Sequence, residues 1–384
     1  MRVKILEGMI YLFHRGSPTD VEIQTRSASA AIRGTEFVAE AREDGGLFIR
    51  VMDGSVDLKN DQGTVLLQAG DNGTAATGEK PHRAPFLYSM KAIQWCLYYA
   101  AVIDVDELPL TPQERELLSA SLVSFRSGDL ILALAQYPAD RDPQSPQERV
   151  YLAALRLAIG QVEESEALLK HFSSNSPSAT VSERLAGSLR LLEAATRSES
   201  RPASASWVPE LASEWLAESY YFQSQGKLSS ARESAREATR RSPRFGFAWA
   251  RLAELEFSFE RTGAAGEALK TAIELAPRHA AAAALQGFQF CARNRIPSAM
   301  AAFERALALD PSLGNAWLGR GLCRIRQGQI REGLKDLEVA AAVEPQRALL
   351  RSYLGKAFAS AGDAERAAKE FALAKAMDPQ DPTA

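Results

Sequence analysis

Gly73-Thr74-Ala75-Ala76-Thr77-Gly78-Glu79-Lys80 carries the two glycines of a phosphate-cradling loop at the right separation. That chemistry needs a lysine directly after the second glycine and a helix N-terminus facing the phosphates. Glu79 stands at the lysine position and Pro81 follows, so the segment reads as a turn at the exit of a β-domain. Gly319-Arg320-Gly321 lacks the third glycine and the preceding strand of a dinucleotide site, and a helix within a repeat accounts for it. Cys96, Cys291 and Cys323 form no CxxC pair, and His14, His82, His171 and His279 have no neighbour at metal-ligand spacing. Neither a zinc site nor a disulfide framework is expected. Carboxylates such as Glu163, Glu164 and Glu166 follow a helical surface pattern and read as a solvated face. No Ser-His-Asp or Cys-His arrangement stands out, so the expectation is a non-enzyme without cofactor or metal.

Trp95, Tyr98 and Tyr99 cluster between two regions of different texture. They could bind a glycan or a partner, but helical spacing of aromatics points first to a weld between domains. The 384 residues carry a formal net charge of −3, with 46% hydrophobic and 24% charged residues. This excludes a disordered or collagen-like chain and gives no electrostatic reason to expect nucleic acid or a membrane surface as partner. The apolar stretch from Ala92 to Ile103 is too short to span a bilayer. In MRVKILEGMIYLFHRG, Glu7 interrupts the apolar run and no small-residue cleavage site follows, unlike a secretory signal.

Residues 1–81 read as strands and tight turns. Val21–Thr25 alternates at period two, and Phe37–Ala41 does so more weakly. Leu47–Val51 and Val56–Lys59 flank Asp53-Gly54, which predicts a hairpin there. Asp61-Gln62-Gly63 predicts a second turn, Thr64–Leu67 another strand, and Ala69–Gly73 its end. The expectation is a compact antiparallel β-domain. Ile32-Arg33-Gly34-Thr35-Glu36-Phe37, Val51-Met52-Asp53-Gly54-Ser55-Val56 and Gln68-Ala69-Gly70-Asp71, in that order, resemble the FecR-type β-domain. That family is found on the outer side of the bacterial inner membrane, in signalling and envelope proteins. The resemblance therefore implies a periplasmic or envelope location. The upstream strands and the membrane segment or export signal expected of that family are not in this chain, so a cytoplasmic location stays open and the start reads as truncated.

From about residue 110 the chain is alanine-rich and helical. Prolines stand at 243, 277, 311, 345 and 379, each step 34 residues. Five residues before each is an alanine: Ala238, Ala272, Ala306, Ala340 and Ala374. Twenty-four before are Ser219, Ala253, Gly287, Gly321 and Gly355, and eight before are Ala235, Leu269, Phe303, Leu337 and Phe371. Each unit then reads as two antiparallel helices, small where axes approach, large where units meet, and ended by proline. Gly226, Gly328 and Gly362 punctuate the turn inside three units, while Gly263 is displaced. One helix pair cannot bury its apolar face alone, so neighbours must stack.

This pattern is similar to the tetratricopeptide repeat, with departures at Gln286 and Arg320. Five units span about 212–379, a further unit is expected at 146–179 around Gly160, Leu169 and Pro177, and a degenerate one near 112–138 around Gly128 and Ala133. No capping helix follows Pro379, which reads as a fragment of a longer protein or an end covered by a partner. The resemblance implies a groove lined by first helices. Carried over by register, its positions are Tyr220, Glu254, Phe288, Leu322 and Lys356, flanked by Arg251 and Arg326. The paired Lys and Asn of arrays that clamp C-terminal carboxylates are missing, so an apolar or amphipathic protein segment is the expected partner. Phe288 is read equally well as packing between repeats.

The expected fold class is α+β multidomain: an antiparallel, FecR-like β-domain at 1–83, a junction at 84–111 and degenerate repeat-like helices at 112–197. A Pro/Ser-rich linker follows at 198–211, and five tetratricopeptide repeats fill 212–384. The expected function is a non-catalytic interaction scaffold in envelope signalling or assembly. The rivals are a carbohydrate or cell-wall module using exposed aromatics among Tyr11, Phe13 and Phe48, and the non-catalytic part of a larger enzyme.

Overall fold

The computed structural model describes residues 2–5, 8–13, 19–41, 45–68, 71–84, 100–139, 141–172, 179–197, 199–205, 208–344 and 347–377. Trp95, Tyr98, Tyr99, Cys96, Pro177, Pro345 and Pro379 lie outside them. Two compact units are present, and the strands belong to one of them.

The strands are β1 (Arg2–Lys4), β2 (Gly8–Phe13), β3 (Thr19–Gln24), β4 (Ser29–Ala41), β5 (Leu47–Asn60), β6 (Gly63–Gln68), β7 (Asn72–Ala75) and β8 (His82–Ala84). β4 and β5 are the long central pair. β3 and β2 pair successive halves of β4, β7 and β6 pair successive halves of β5, and β8 follows β7. Every described pairing is antiparallel except β1 with β3, which is parallel.

The hairpin expected at Asp53-Gly54 is not there, because β5 runs straight through it. Arg33 pairs with Ser55, Glu36 with Asp53 and Phe37 with Val51, so each strand carries one irregularity. An extra residue reverses which side chains face the core. Leu47, Ile49 and Val51 are buried on one side of the break, and Val56 and Leu58 on the other. The inward set switches from odd to even positions, and Ala30 against Ala39 and Ala41 shows the same switch in β4. Two out-of-phase apolar runs around Asp-Gly can thus be one bulged strand as well as two strands. The turn at Asp61-Gln62 does form, with Asn60 opposite Gly63 and the Gln62 N–H donating to Asn60 Oδ1 at 2.9 Å. Gly73 sits within β7 rather than ending β6, and a Cβ there would lie 2.5 Å from Leu67 Cδ1. Phe48 is buried.

The helices are α1 (Pro112–Leu117), α2 (Ser119–Ser127), α3 (Leu130–Ala135), α4 (Pro146–Ala158), α5 (Val162–Leu169) and α6 (Val181–Thr196), then five pairs. The pairs are α7 (Ala212–Ser224) with α8 (Leu228–Arg241), α9 (Gly246–Ser258) with α10 (Thr262–Leu275), and α11 (Ala280–Ala292) with α12 (Ile296–Leu309). They continue with α13 (Gly314–Arg326) with α14 (Ile330–Val343), and α15 (Ala348–Ser360) with α16 (Ala364–Met377). Every first and every second helix starts 34 residues after its predecessor.

The turn within each pair uses one left-handed residue in the same register: Gly226, Glu260, Asn294, Gly328 and Gly362. Gly263 lies inside α10, so the displaced glycine leaves Glu260 at φ 58°. Ala238, Ala272, Ala306, Ala340 and Ala374 are all fully buried where second helices pack. Trp249 and Trp317 donate their indole N–H to Pro243 O and Pro311 O, at 2.9 and 2.8 Å, which ties each first helix to the proline before it. Upstream, α4 and α5 form the expected helix pair, with Gly160 at φ 87° between them, and α2 and α3 join at Gly128 with φ 93°. The segment read as a linker is pinned down: Arg201 bonds both carboxylate oxygens of Glu218 at 2.5 Å and lies over the Tyr221 ring.

Candidate partner-binding surface of the helical array

Tyr220, Glu254, Phe288, Leu322 and Lys356 occupy the same turn of α7, α9, α11, α13 and α15. Tyr220, Arg251, Glu254, Phe288 and Leu322 are all buried, whereas Lys356 and Arg326 keep part of their surface. Three of these residues come together. The Arg251 guanidinium, fully buried, donates to Ser219 Oγ at 3.0 Å, to the Ser219 carbonyl at 3.2 Å and to Gln223 Oε1. It pairs with Glu254 at 3.2 Å and lies 4.0 Å from the centre of the Tyr220 ring. Such a charge is tolerated inside because it is both paired and hydrogen-bonded.

Phe288 does not join that cluster. Its ring meets Phe303 edge-on at 4.9 Å, so in this structure it packs between the two helices of its own repeat. Lys356 Nζ lies 5.6 Å from the Tyr353 ring centre, and Arg326 donates to Asn294 Oδ1 at 2.9 Å. Arg320 and Arg324 converge on Asp336 at 2.8 Å, which explains why an arginine is accepted at position 320.

A second set of contacts reaches the same helices from residues 101–129. The Glu107 carboxylate accepts from the Ala212 and Ser213 amides at 2.6 and 3.0 Å and from Ser213 Oγ at 2.6 Å. It thereby satisfies the open N–H groups and the positive dipole end of α7. The Asp104 amide donates to Ser213 Oγ at 2.8 Å, and Ser242 Oγ donates to Asp104 Oδ2 at 2.5 Å. Burial pushes both carboxyls above the usual range, against the hydrogen bonds that favour their charged forms. Phe125 of α2 lies 5.5 Å from Phe247, and Phe247 lies 4.7 Å from His279. Asp129 accepts from Arg278, and the Arg278 amide donates to the Ser127 carbonyl at 2.7 Å. A Cβ at Gly128 would meet the His279 amide nitrogen at 2.6 Å. Desolvation by the groups packed around it holds His279 down at about 4, so it is neutral at pH 7.

Nothing in the run Val102–Leu110 signalled these contacts. It has no helical period, and the partners of Asp104 and Glu107 on α7 and at Ser242 lie 105 to 138 residues away. Among the described residues no group of three His, Cys, Asp or Glu could hold a metal ion, and no helix is long and apolar enough to cross a membrane.

The tetratricopeptide-repeat family model matches residues 216–280, 290–329 and 324–382. The C-terminal helices are a tetratricopeptide-repeat array. Among solved structures, a thermophilic TPR protein of Thermus thermophilus is 20% identical, with 44% of this chain and 93% of that one covered and a TM-score of 0.41. PilW, a type IV pilus biogenesis factor, is 24% identical over 44% of this chain and 79% of its own, with a TM-score of 0.39. The Cut9–Hcn1 assembly of the APC/C aligns over 73% of this chain and 56% of its own, at 15% identity and a TM-score of 0.43. No curated protein matches the chain. Tetratricopeptide proteins bind protein partners and are typically non-catalytic scaffolds, which is the general class of this array.

Proposed function

We propose that the chain is a non-catalytic scaffold that holds an apolar or amphipathic segment of another protein on the first-helix face of its tetratricopeptide array. The observation that carries this reading is the unbroken 34-residue register of five helix pairs, which aligns equivalent first-helix positions into one surface. Tyr220, Arg251, Glu254, Phe288, Leu322, Arg326 and Lys356 mark that surface. Five of them are buried, Arg251 against the preceding repeat and Phe288 against Phe303, so the surface open to a segment is what Lys356 and Arg326 keep exposed. The FecR-like motifs of the strand-rich unit support a role in sensing or assembly at the bacterial envelope. Burial of Phe48 removes one of the aromatics that a carbohydrate-binding reading required.

The test is capture with the immobilised full chain, identification of the captured protein and titration with that protein after purification. Lys356→Glu should weaken binding at least tenfold, while Lys335→Glu on the exposed side of α14 should not. Equal binding by both variants would move the site off the first-helix face, and failure to bind any protein would remove the scaffold reading. Fractionation of the native host tests the envelope assignment, which a purely cytoplasmic signal would overturn.

A further inference from the structure

Ser213 and Tyr220 are seven residues apart on α7, two helical turns, and so share one face. Phe247, Arg251 and Glu254 share one face of α9 by the same spacing. Residues 101–129 therefore touch the first-helix face at its amino-terminal end in two successive repeats, through Glu107 on Ser213 and Phe125 on Phe247. They reach the third repeat at Arg278 and His279.

We propose that this end of the face is a docking site for a protein segment combining branched apolar residues with carboxylates, and that residues 101–129 occupy it in cis. The inference rests on the scaffold reading and names its partner's chemistry. The occupant displays what the site selects. Val102, Ile103, Val105 and Leu108 are buried at 0–2% exposure. Between them, Asp104 and Glu107 meet hydroxyls and the N-terminus of α7. The Phe125 ring packs at a tilt against Phe247, 5.5 Å between centres.

Val102, Ile103, Val105 and Leu108 share one apolar core with α4, α6 and α7, which holds the segment down, and two features work against that hold. Residues 101–110 form no helix and pair with no strand, so lifting them breaks no ladder. Both carboxylates are held against a desolvation cost, which lowers the net gain of the cis contact. A competing segment in trans that carries the same groups takes the site when its effective concentration exceeds that of the tethered copy.

The experiment uses the full chain, a fluorescent peptide of residues 100–111, and hydrogen exchange. The wild-type chain should bind the peptide poorly, because its own segment fills the site. Asp104→Ala/Glu107→Ala, which weakens the cis copy, should bind the wild-type peptide at least tenfold more tightly. A peptide with both carboxylates replaced by alanine should bind neither chain. In the wild-type chain the amides of residues 102–110 should exchange at least tenfold faster than those of α9 and α10. A folded double variant that ignores the peptide overturns the proposal. Exchange of 102–110 only with global unfolding also overturns it, including where the double variant does not fold. Partner capture in the scaffold test is independent of both readouts, so the two readings fail separately.

Discussion

Gly319→Ala should destabilise the protein although it places a good helix former inside a helix. In an exposed helix that change gains about 1 kcal/mol. Here a Cβ on residue 319 of α13 would stand 2.2 Å from Phe303 Cζ, 2.3 Å from Cε1 and 2.7 Å from Cε2. The ring has no room to retreat. Phe303 is fully buried, a Cβ at Gly287 would already be 2.6 Å from it, and Phe288 stands edge-on at 4.9 Å. Overpacking of this kind costs about 1–3 kcal/mol, so after the propensity gain the net loss should reach up to about 2 kcal/mol. The Phe303→Leu background removes the ring atoms concerned. There Gly319→Ala should be neutral or stabilising, and the coupling between the two sites should approach about 2 kcal/mol. Urea unfolding of the full chain, followed by helical circular dichroism, yields all four midpoints. Equal effects of Gly319→Ala in both backgrounds would refute the claim that Phe303 dictates glycine at that position.

Glu260→Gly should raise stability by about 1 kcal/mol, because Glu260 holds a left-handed conformation where three equivalent turns use glycine; a thermal melt showing no gain would count against strain at that turn. Arg251→Met should cost about 3–5 kcal/mol by leaving Glu254 buried without its cation, and Arg251→Met/Glu254→Gln should recover much of it in denaturant titration. Burial, with the Glu166 carboxylate adding, pushes Glu193 up to about 7, against the pull of Arg197 and Arg190. The folded chain thus binds this proton more tightly than the unfolded one. The stability it lends is full below about pH 4.5 and is lost as pH rises through 7, by about 3 kcal/mol. Glu193→Gln should remove that slope, so melts of both proteins at pH 5 and pH 8 should converge at pH 5 and favour the variant at pH 8.

The helical array was legible residue by residue because each repeat meets only its neighbours. A proline, a buried alanine and a small-to-large alternation every 34 residues are local consequences of stacking. Even the turn positions could be counted, although the registered left-handed site at Glu260 was obscured by Gly263 three residues on. The strand-rich part was legible in its apolar runs but not in their connection. A bulge and a turn leave the same mark around Asp53-Gly54, and only the pairing of β5 along β4 separates them.

What the amino-acid order determined alone was therefore periodic: helix pairs, their number and their shared face. What tertiary structure alone decided was which parts of that face stay open. Arg251 pairs inward with residues of the preceding repeat. Phe288 turns to Phe303, and residues 101–129 close over helix ends more than a hundred positions away. Contacts between distant segments obey no spacing rule, because folding in space rather than order along the chain brings them within reach.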